Sequence, residues 1–347
     1  MPSDLLAQYR ADGIAILPEV LPQPLLERLR LAYLDALQAK VARLGLTPFE
    51  SKNHVAEGWG RPRFVPVGGN HDVNRWNMHL PSRAPFLDDR LLANSHAMEV
   101  VDSVLGPSAV LAMMASDTPF PGAADQTVHQ DALVSRIAVN VALVDFTEEN
   151  GPLEYWPGTH SRTPSPDRFD PSPLAWSEDE VKRIVSERPS KRLVVPAGTM
   201  IIRDHRILHR GTAHRGTEPR PMLSLLYFSA HDALPHREVV NGVAWAALQV
   251  RQIARRAGSM PWALTLLNRA NAAGRIAEYL ARSDRDYRRP IPRDSWRSLS
   301  ERTRHLLRYA TVEDSTADEA RSPKASVELV RSALRGMSAA IGGADRR

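Results

Sequence analysis

Residues 202–216, IRDHRILHRGTAHRG, carry three histidines within ten positions: His205, His209 and His214. His205 and His209 are four apart and share one face in a helix and in a strand alike, so local spacing leaves open which of the three does chemistry. The flanks say more about the fold. Thr199-MIIRD leads into the stretch and Met222-LSLLYF follows it; both are short β-prone runs, with a turn signal at Pro196-Ala-Gly.

The same texture extends from 96 to 230. Ala109-VLAMMAS, Ser135-RIAVNVALVDF and Arg192-LVVP are strand-like, and Pro121-Gly, Asn150-Gly-Pro and Pro157-Gly punctuate them. Many short strands cut by turns predict an antiparallel sandwich or barrel. Ahead of it, residues 3–12 read as a helix capped by Ser3, Gly13-IAILP as a strand, and Gln23-PLLERLRLAYLDALQAKVARL as a long amphipathic helix. Residues 47–90 are rich in Gly, Pro, Asn and His with little periodicity, and are expected to form a lid or pocket wall. Beyond about 240 the pattern turns helical, and Val312-EDSTADEARSPKAS reads as a flexible linker. The expected division is a domain over 1–240 and a helical extension over 241–347 with a linker near 312–325.

The chain of 347 residues has no cysteine, which removes disulfides, thiolate nucleophiles and zinc–thiolate or iron–sulfur sites. Any metal must be held by nitrogen and oxygen. Residues 251–347 hold 20 basic against 11 acidic side chains, whereas residues 1–250 hold 25 against 29. The basic excess is thus confined to the tail. Its arginines, interleaved with Trp and Tyr, raise nucleic-acid or membrane binding. They alternate with Asp and Glu at helical spacing, however, as on a self-packing helical surface. The expectation is no nucleic acid and no membrane, but an extension that covers the barrel or mediates a homodimer. The start, Met1-PSDLLAQYRADG, lacks the pattern of a signal peptide, and a cytoplasmic, soluble protein is expected.

A partner for the histidines lies in Thr127-VHQDAL. His129 and Asp131 are two apart at the mouth of a strand, so their side chains leave the same face. With one distant His they would complete a 2-His-1-carboxylate triad, which leaves positions open on a non-haem Fe(II). Downstream, Arg220 opens the strand Arg220-PMLSLLYF, where an inward guanidinium would clamp a buried carboxylate. Ser224 shares its face by period 2. Asn140 lies on the polar face of its strand, available to a cosubstrate or simply satisfied in the core.

Taken in order, Asp12-Gly13, Leu105-Gly106, Pro121-Gly122, Gln126-TVHQD, Glu149-NGPLEYWPGTH, Ala197-GTMIIRDHRILHRGT and Arg220-Pro221 resemble the phytanoyl-CoA dioxygenase-like Fe(II)/2-oxoglutarate oxygenases, over roughly Asp4 to Ala230. The resemblance implies a mainly β double-stranded β-helix (a cupin-like jelly roll) flanked by N-terminal helices. It implies His129, Asp131 and His209 as metal ligands, since His209 lies eleven residues before Arg220 whereas His205 would need an arginine at Gly216. Arg220 would hold 2-oxoglutarate, with Gln126, Asn140 and Ser224 near it. His205 would orient strands or bond Asp204. Some relatives carry Ser two residues after the distal histidine; Gly211 stands there instead, which leaves one cosubstrate contact unassigned.

Fe(II), 2-oxoglutarate and O2 are the implied cofactors, with succinate and CO2 as products. Because Asp131 is retained, and the halogenating branch lacks this carboxylate, hydroxylation of a small molecule is expected. Desaturation, cyclisation, epimerisation and endoperoxidation draw on the same chemistry. Trp59, Arg61, Arg63, Arg75, Trp76 and His79 of the 47–90 region suit a polar or anionic substrate, and Trp156 and His214 are further candidates for contacting it. By analogy, the substrate would be a specialised metabolite. The competing classes are a non-catalytic cupin-like binding protein and a metal-dependent hydrolase or isomerase, the latter with no need of Arg220.

Overall fold

Period-2 alternation in the β-prone runs becomes a two-faced sheet. The computed structural model describes residues 2–43, 74–131, 135–161, 178–230, 290–308, 310 and 312–313. Helix α1 (Pro2–Asp12) leads through Gly13 into β1 (Ile14–Leu17) and then α2 (Gln23–Arg43). There follow β2 (Arg75–His79), α3 (Asp89–Leu92), α4 (Ser95–Leu105), β3 (Val110–Pro119), β4 (Ile137–Ala142) and β5 (Leu153–Tyr155). Helix α5 (Glu178–Glu187) precedes β6 (Lys191–Arg192), β7 (Met200–Asp204), β8 (His209–Gly211) and β9 (Met222–Phe228). Two short helices, α6 (Arg293–Ser298) and α7 (Glu301–Leu306), come last.

Six strands pair antiparallel in the order β1-β7-β4-β9-β3-β2, and three more in the order β6-β5-β8. Residues 126–129 extend the small sheet past β8, through Gln126 N–H to Gly211 O (2.8 Å) and reciprocal backbone bonds between His129 and His209 (both 3.0 Å). The two sheets face each other as a double-stranded β-helix.

One face of the large sheet, with Leu17, Val139, Val141, Ile202, Leu223 and Leu225, packs with Leu25, Leu29 and Tyr33 of α2 and Met98 and Val101 of α4 into the main core. Each such side chain contributes about 1.5–3 kcal/mol by leaving water. The opposite face turns Ile14, Ile201, Ala142 and Met222 toward Leu153 and Tyr155 of the small sheet. Asp12-Gly13 serves as the hinge between α1 and β1. Gly13 sits at φ +80°, donates to Tyr9 O (2.7 Å), and a Cβ there would stand 2.6 Å from His160 Nδ1. No L-residue with a side chain fits that position without strain.

Four elements depart from the sequence reading. Helix α4 occupies what reads as the start of the β-prone region. Its valines cost a few tenths of a kcal/mol each in helix propensity, but Val100, Val101, Ala97, Met98 and Leu105 are all buried, and Asn94 Oδ1 caps Ala97 N–H at 3.2 Å. Burial outweighs propensity. Helix α5 also lies in that region. Within 47–90, expected to be irregular, β2 pairs with β3 and α3 follows; Arg-Trp-Asn-Met-His does alternate polar and apolar residues, but over only five positions in a stretch otherwise rich in Gly, Pro, Asn and His. Trp59, Arg61 and Arg63 lie outside the described residues.

The described part of the tail packs on the core. Ile291, Leu299, Leu306 and Leu307 join the main cluster. Ser300 Oγ donates to Asp89 Oδ1 (2.9 Å), Arg302 pairs with Asp102, and Arg308 donates to the carbonyls of Ser108 (2.6 Å) and Ala109 (3.1 Å). Most of 241–347, including nearly all of the expected linker at 312–325, lies outside the described residues. Among the described residues, no helix is long and apolar enough to cross a membrane.

Candidate active site

The backbone pairing of His129 with His209 brings two imidazoles off adjacent strands, with ring centroids 4.4 Å apart and planes at 48°. His209 is in register with Tyr155, which faces the barrel interior, so the histidine points inward too. Asp131, two residues past His129, is fixed by its N–H to His205 O at 2.9 Å. Its Oδ1 lies 3.6 Å from His129 Nε2 and its Oδ2 3.5 Å from His209 Nε2. One ligand atom from each residue falls within 4.8 Å of the others.

Both rings are oriented by the backbone. His129 Nδ1 is 2.7 Å from Thr127 O and His209 Nδ1 is 3.0 Å from Ile207 O. In each case the carbonyl two residues earlier takes the Nδ1 proton, which leaves the Nε2 lone pair toward the centre. Burial, then the neighbouring Arg203 cation, holds the His209 imidazole well below its ordinary pKa. At Asp131, desolvation favours the neutral acid, but the Arg203 charge and the histidines outweigh it and hold the carboxyl well below the usual range. Neutral imidazoles and an ionised carboxylate are the forms a metal takes up. Two ring nitrogens and one carboxylate, with no thiolate, fit Fe(II) with positions left open.

Arg220 is 1% exposed. Its guanidinium carbon lies 4.2 Å from the Phe146 ring centroid and its Nη1 3.9 Å from Met222 Sδ. Nε has no hydrogen-bond partner among the described residues. Burial pulls its pKa down to about 10, Asp117 opposing this and Arg75 adding to it. A buried guanidinium so poorly satisfied suits an anion. Arg75, also 1% exposed, donates through Nη2 to Thr212 O (2.6 Å) and Ala124 O (3.1 Å). This accounts for Gly211: a Cβ there would stand 2.5 Å from Arg75 Nη1 and 2.8 Å from Gln126 Oε1. The space that a serine would take is filled by Arg75, and Gln126 spends its Oε1 on Gly211 N–H at 2.8 Å.

Asn140 and Ser224 are cross-strand partners in the same register row as Ile201, on the interior face. Asn140 Oδ1 is buried with no partner among the described residues. His79 shares that row through Ala115; its side chain and that of Trp76 lie outside the described residues.

Other candidates sit apart from the centre. Trp156 packs with Val128, Leu208 and Ile184 of α5 on the outer side of the small sheet, so it caps that sheet and does not line the interior. The reason is parity: Tyr155 points in, so its neighbour points out. His214 is buried in its own loop, with Nε2 2.8 Å from Glu218 O. Asp204 bonds Tyr9 (2.8 Å) and Arg206 (2.7 Å), not His205. The residue that sequence reasoning missed is Arg203. It shares a row with Ile14 and Ala138 and reaches Asp131 Oδ2 at 2.7 Å. Alternation along Met200–Asp204 was the available signal, since Ile201 inward puts residue 203 inward.

The family model for phytanoyl-CoA dioxygenase (PhyH) matches residues 9–222. The chain belongs to this family. It is 26% identical over 206 residues to dioxygenase af480 of Aspergillus fumigatus, a match that spans 56% of this chain and 59% of that protein's length. Among solved structures it is similar to AviO1 from Streptomyces viridochromogenes (21% identity, TM-score 0.48, 66% of this chain and 96% of that one). It is also similar to the non-haem α-ketoglutarate-dependent epimerase SnoN from nogalamycin biosynthesis (21%, 0.47, 66% and 81%) and to iron-bound EctD from S. alaskensis (18%, 0.47, 65% and 76%).

Proposed function

We propose that the protein oxidises an unactivated C–H bond of a small molecule, by hydroxylation, with 2-oxoglutarate as the consumed cosubstrate. The observation that carries this reading is the convergence of His129, Asp131 and His209 inside the same barrel as the under-satisfied Arg220. When bound, Fe(II) would let O2 act as the oxidant with 2-oxoglutarate as co-reductant, one oxygen atom going to the substrate and the other to succinate as CO2 is released.

The chain's own residues bind, orient and exclude. His129, Asp131 and His209 would hold the metal from one side. Arg220 would take the far carboxylate of 2-oxoglutarate, and Arg75 adds a second buried cation that suits a dianion. Asn140 and Ser224 offer neutral hydrogen-bonding groups along the same wall. The retained Asp131 carboxylate favours hydroxylation over halogenation, which would need that ligand position for a halide. A hydrolase or isomerase built on the same triad would have no use for Arg220.

An anaerobic titration of the purified protein with Fe(II) and then 2-oxoglutarate tests the reading. The expected result is a weak visible charge-transfer band that is lost in Arg220→Ala. Iron binding without a band in the parent protein would move the assignment to the hydrolase or isomerase class.

A further inference from the structure

The strand that precedes the distal ligand points a third buried arginine at the metal triad. Arg203 is 6% exposed and lies on the interior face of β7, beside Ile14 and Ala138. Its Nη2 donates to Asp131 Oδ2 at 2.7 Å, and its Nη1 stands 3.1 Å from His209 Nε2. Since His209 Nδ1 faces the Ile207 carbonyl at 3.0 Å, Nε2 carries the lone pair, and Nη1 donates to it. Asp131 is the carboxylate that pairs with Arg203 among the described residues. One guanidinium thus engages two of the three ligand residues, on the atoms that a metal would use.

We infer that Arg203 is a positioning residue that sets the metal affinity of the triad, holding Asp131 in place while competing with a divalent cation for Asp131 and His209. The inference rests on the oxygenase reading of the site. Two effects act in opposite directions. As an orienting partner of Asp131, Arg203 would favour binding, and losing such partners typically weakens affinity by 10–100-fold. As a fixed positive charge hydrogen-bonded to two ligands, it repels a dication and must give up the bond to His209 Nε2 when the metal takes that lone pair. Within about 5 Å and at an effective dielectric constant of about 20, repulsion between a unit charge and a dication is several times the energy of one such orienting bond. Repulsion wins.

The test is a titration of the full-length protein, stripped with chelator, with Mn(II) or Co(II) alone, read by calorimetry and by the d–d bands of Co(II). Arg203→Met removes both charge and donor and should bind roughly tenfold tighter or more. Arg203→Lys keeps the charge and should stay near the parent. Arg203→Gln serves in place of the methionine variant if that one melts early, with thermal melts in chelator reporting the fold of each. Because Asp131 loses its counter-charge, metal should also raise the melting temperature of Arg203→Met by more than it raises the parent's. Unchanged or weaker binding by both neutral variants would overturn the inference and leave the oxygenase reading intact. Absence of Co(II) binding by parent and variants alike would overturn both.

Discussion

The two faces of the six-stranded sheet follow one alternation and hold opposite chemistry. Toward the helices, Leu17, Val139, Val141, Ile202, Leu223 and Leu225 make a wholly apolar layer. Toward the small sheet, the same strands set Asn140, Arg203 and Ser224 among Ile201, Ala142 and Met222. A purely structural sandwich would gain nothing from a buried guanidinium or an unsatisfied amide. The outer face holds the fold, and the inner face accepts a cost in stability in exchange for a site. Substitutions on the two faces should therefore separate stability from chemistry.

The largest effect belongs to the inner side. Asp131→Ala or His209→Ala removes one of three ligands, and turnover should fall to background; Asp131→Ala should also lower the melting temperature in chelator, because it leaves Arg203 buried without its carboxylate. Full iron stoichiometry in both variants would contradict the triad. Next comes Arg220→Ala. Truncating a buried, charge-assisted clamp costs about 2–5 kcal/mol, so 2-oxoglutarate affinity should drop by two to three orders of magnitude with iron binding retained. Calorimetry with Fe(II) and then with 2-oxoglutarate separates the two ligand variants, which lose the metal, from Arg220→Ala, which keeps it.

How much of this contrast was legible beforehand follows from the residue types. His129, Asp131, His209 and Arg220 stand in recognisable motifs, and their strands carry β-prone runs, so the fold and the centre could be read. Arg203 could not, because an arginine at a strand end normally reads as solvent-facing; only the inward parity of Ile201 placed it. Trp156, which could line the pocket or cap the core, does the latter, because Tyr155 has taken the inward position. The carbonyls of Thr127 and Ile207 that orient the two imidazoles carry no sequence signal, since every residue has one. Helix α4 was hidden by its valines, whose preference yields to burial.

On the apolar face the expectation reverses. Leu225 is fully buried in the main core. Leu225→Ala should lower stability by about 2–5 kcal/mol through lost transfer energy and a residual cavity. Metal and 2-oxoglutarate affinities, measured below the new melting temperature, should stay within a factor of a few. A loss of 2-oxoglutarate binding comparable to that of Arg220→Ala would mean that the two faces are not separable.

The subtlest effect appears only in acid. His205 lies beside Asp131 and is 9% exposed, with Nε2 lacking a partner among the described residues. Burial pushes its pKa down to about 4 from an ordinary 6.5. Between those values the unfolded chain binds a proton that the folded chain refuses, so stability rises with pH across the window and is level above it. As pH falls from 6.5 to about 4, His205 should withdraw roughly 3 kcal/mol. Asp131 acts outside this window, because its depressed carboxyl takes up a proton only below the usual carboxylate range. Denaturant melts at pH 7 and pH 4.5 should show a smaller acid loss in His205→Gln than in the parent, with little difference at pH 7. The other buried histidines, His160, His209 and His214, are depressed in the same direction and remain in both proteins, so the difference isolates His205. Equal acid losses would mean that His205 is protonated in the folded protein, and the inner wall would then hold one more charge beside Asp131.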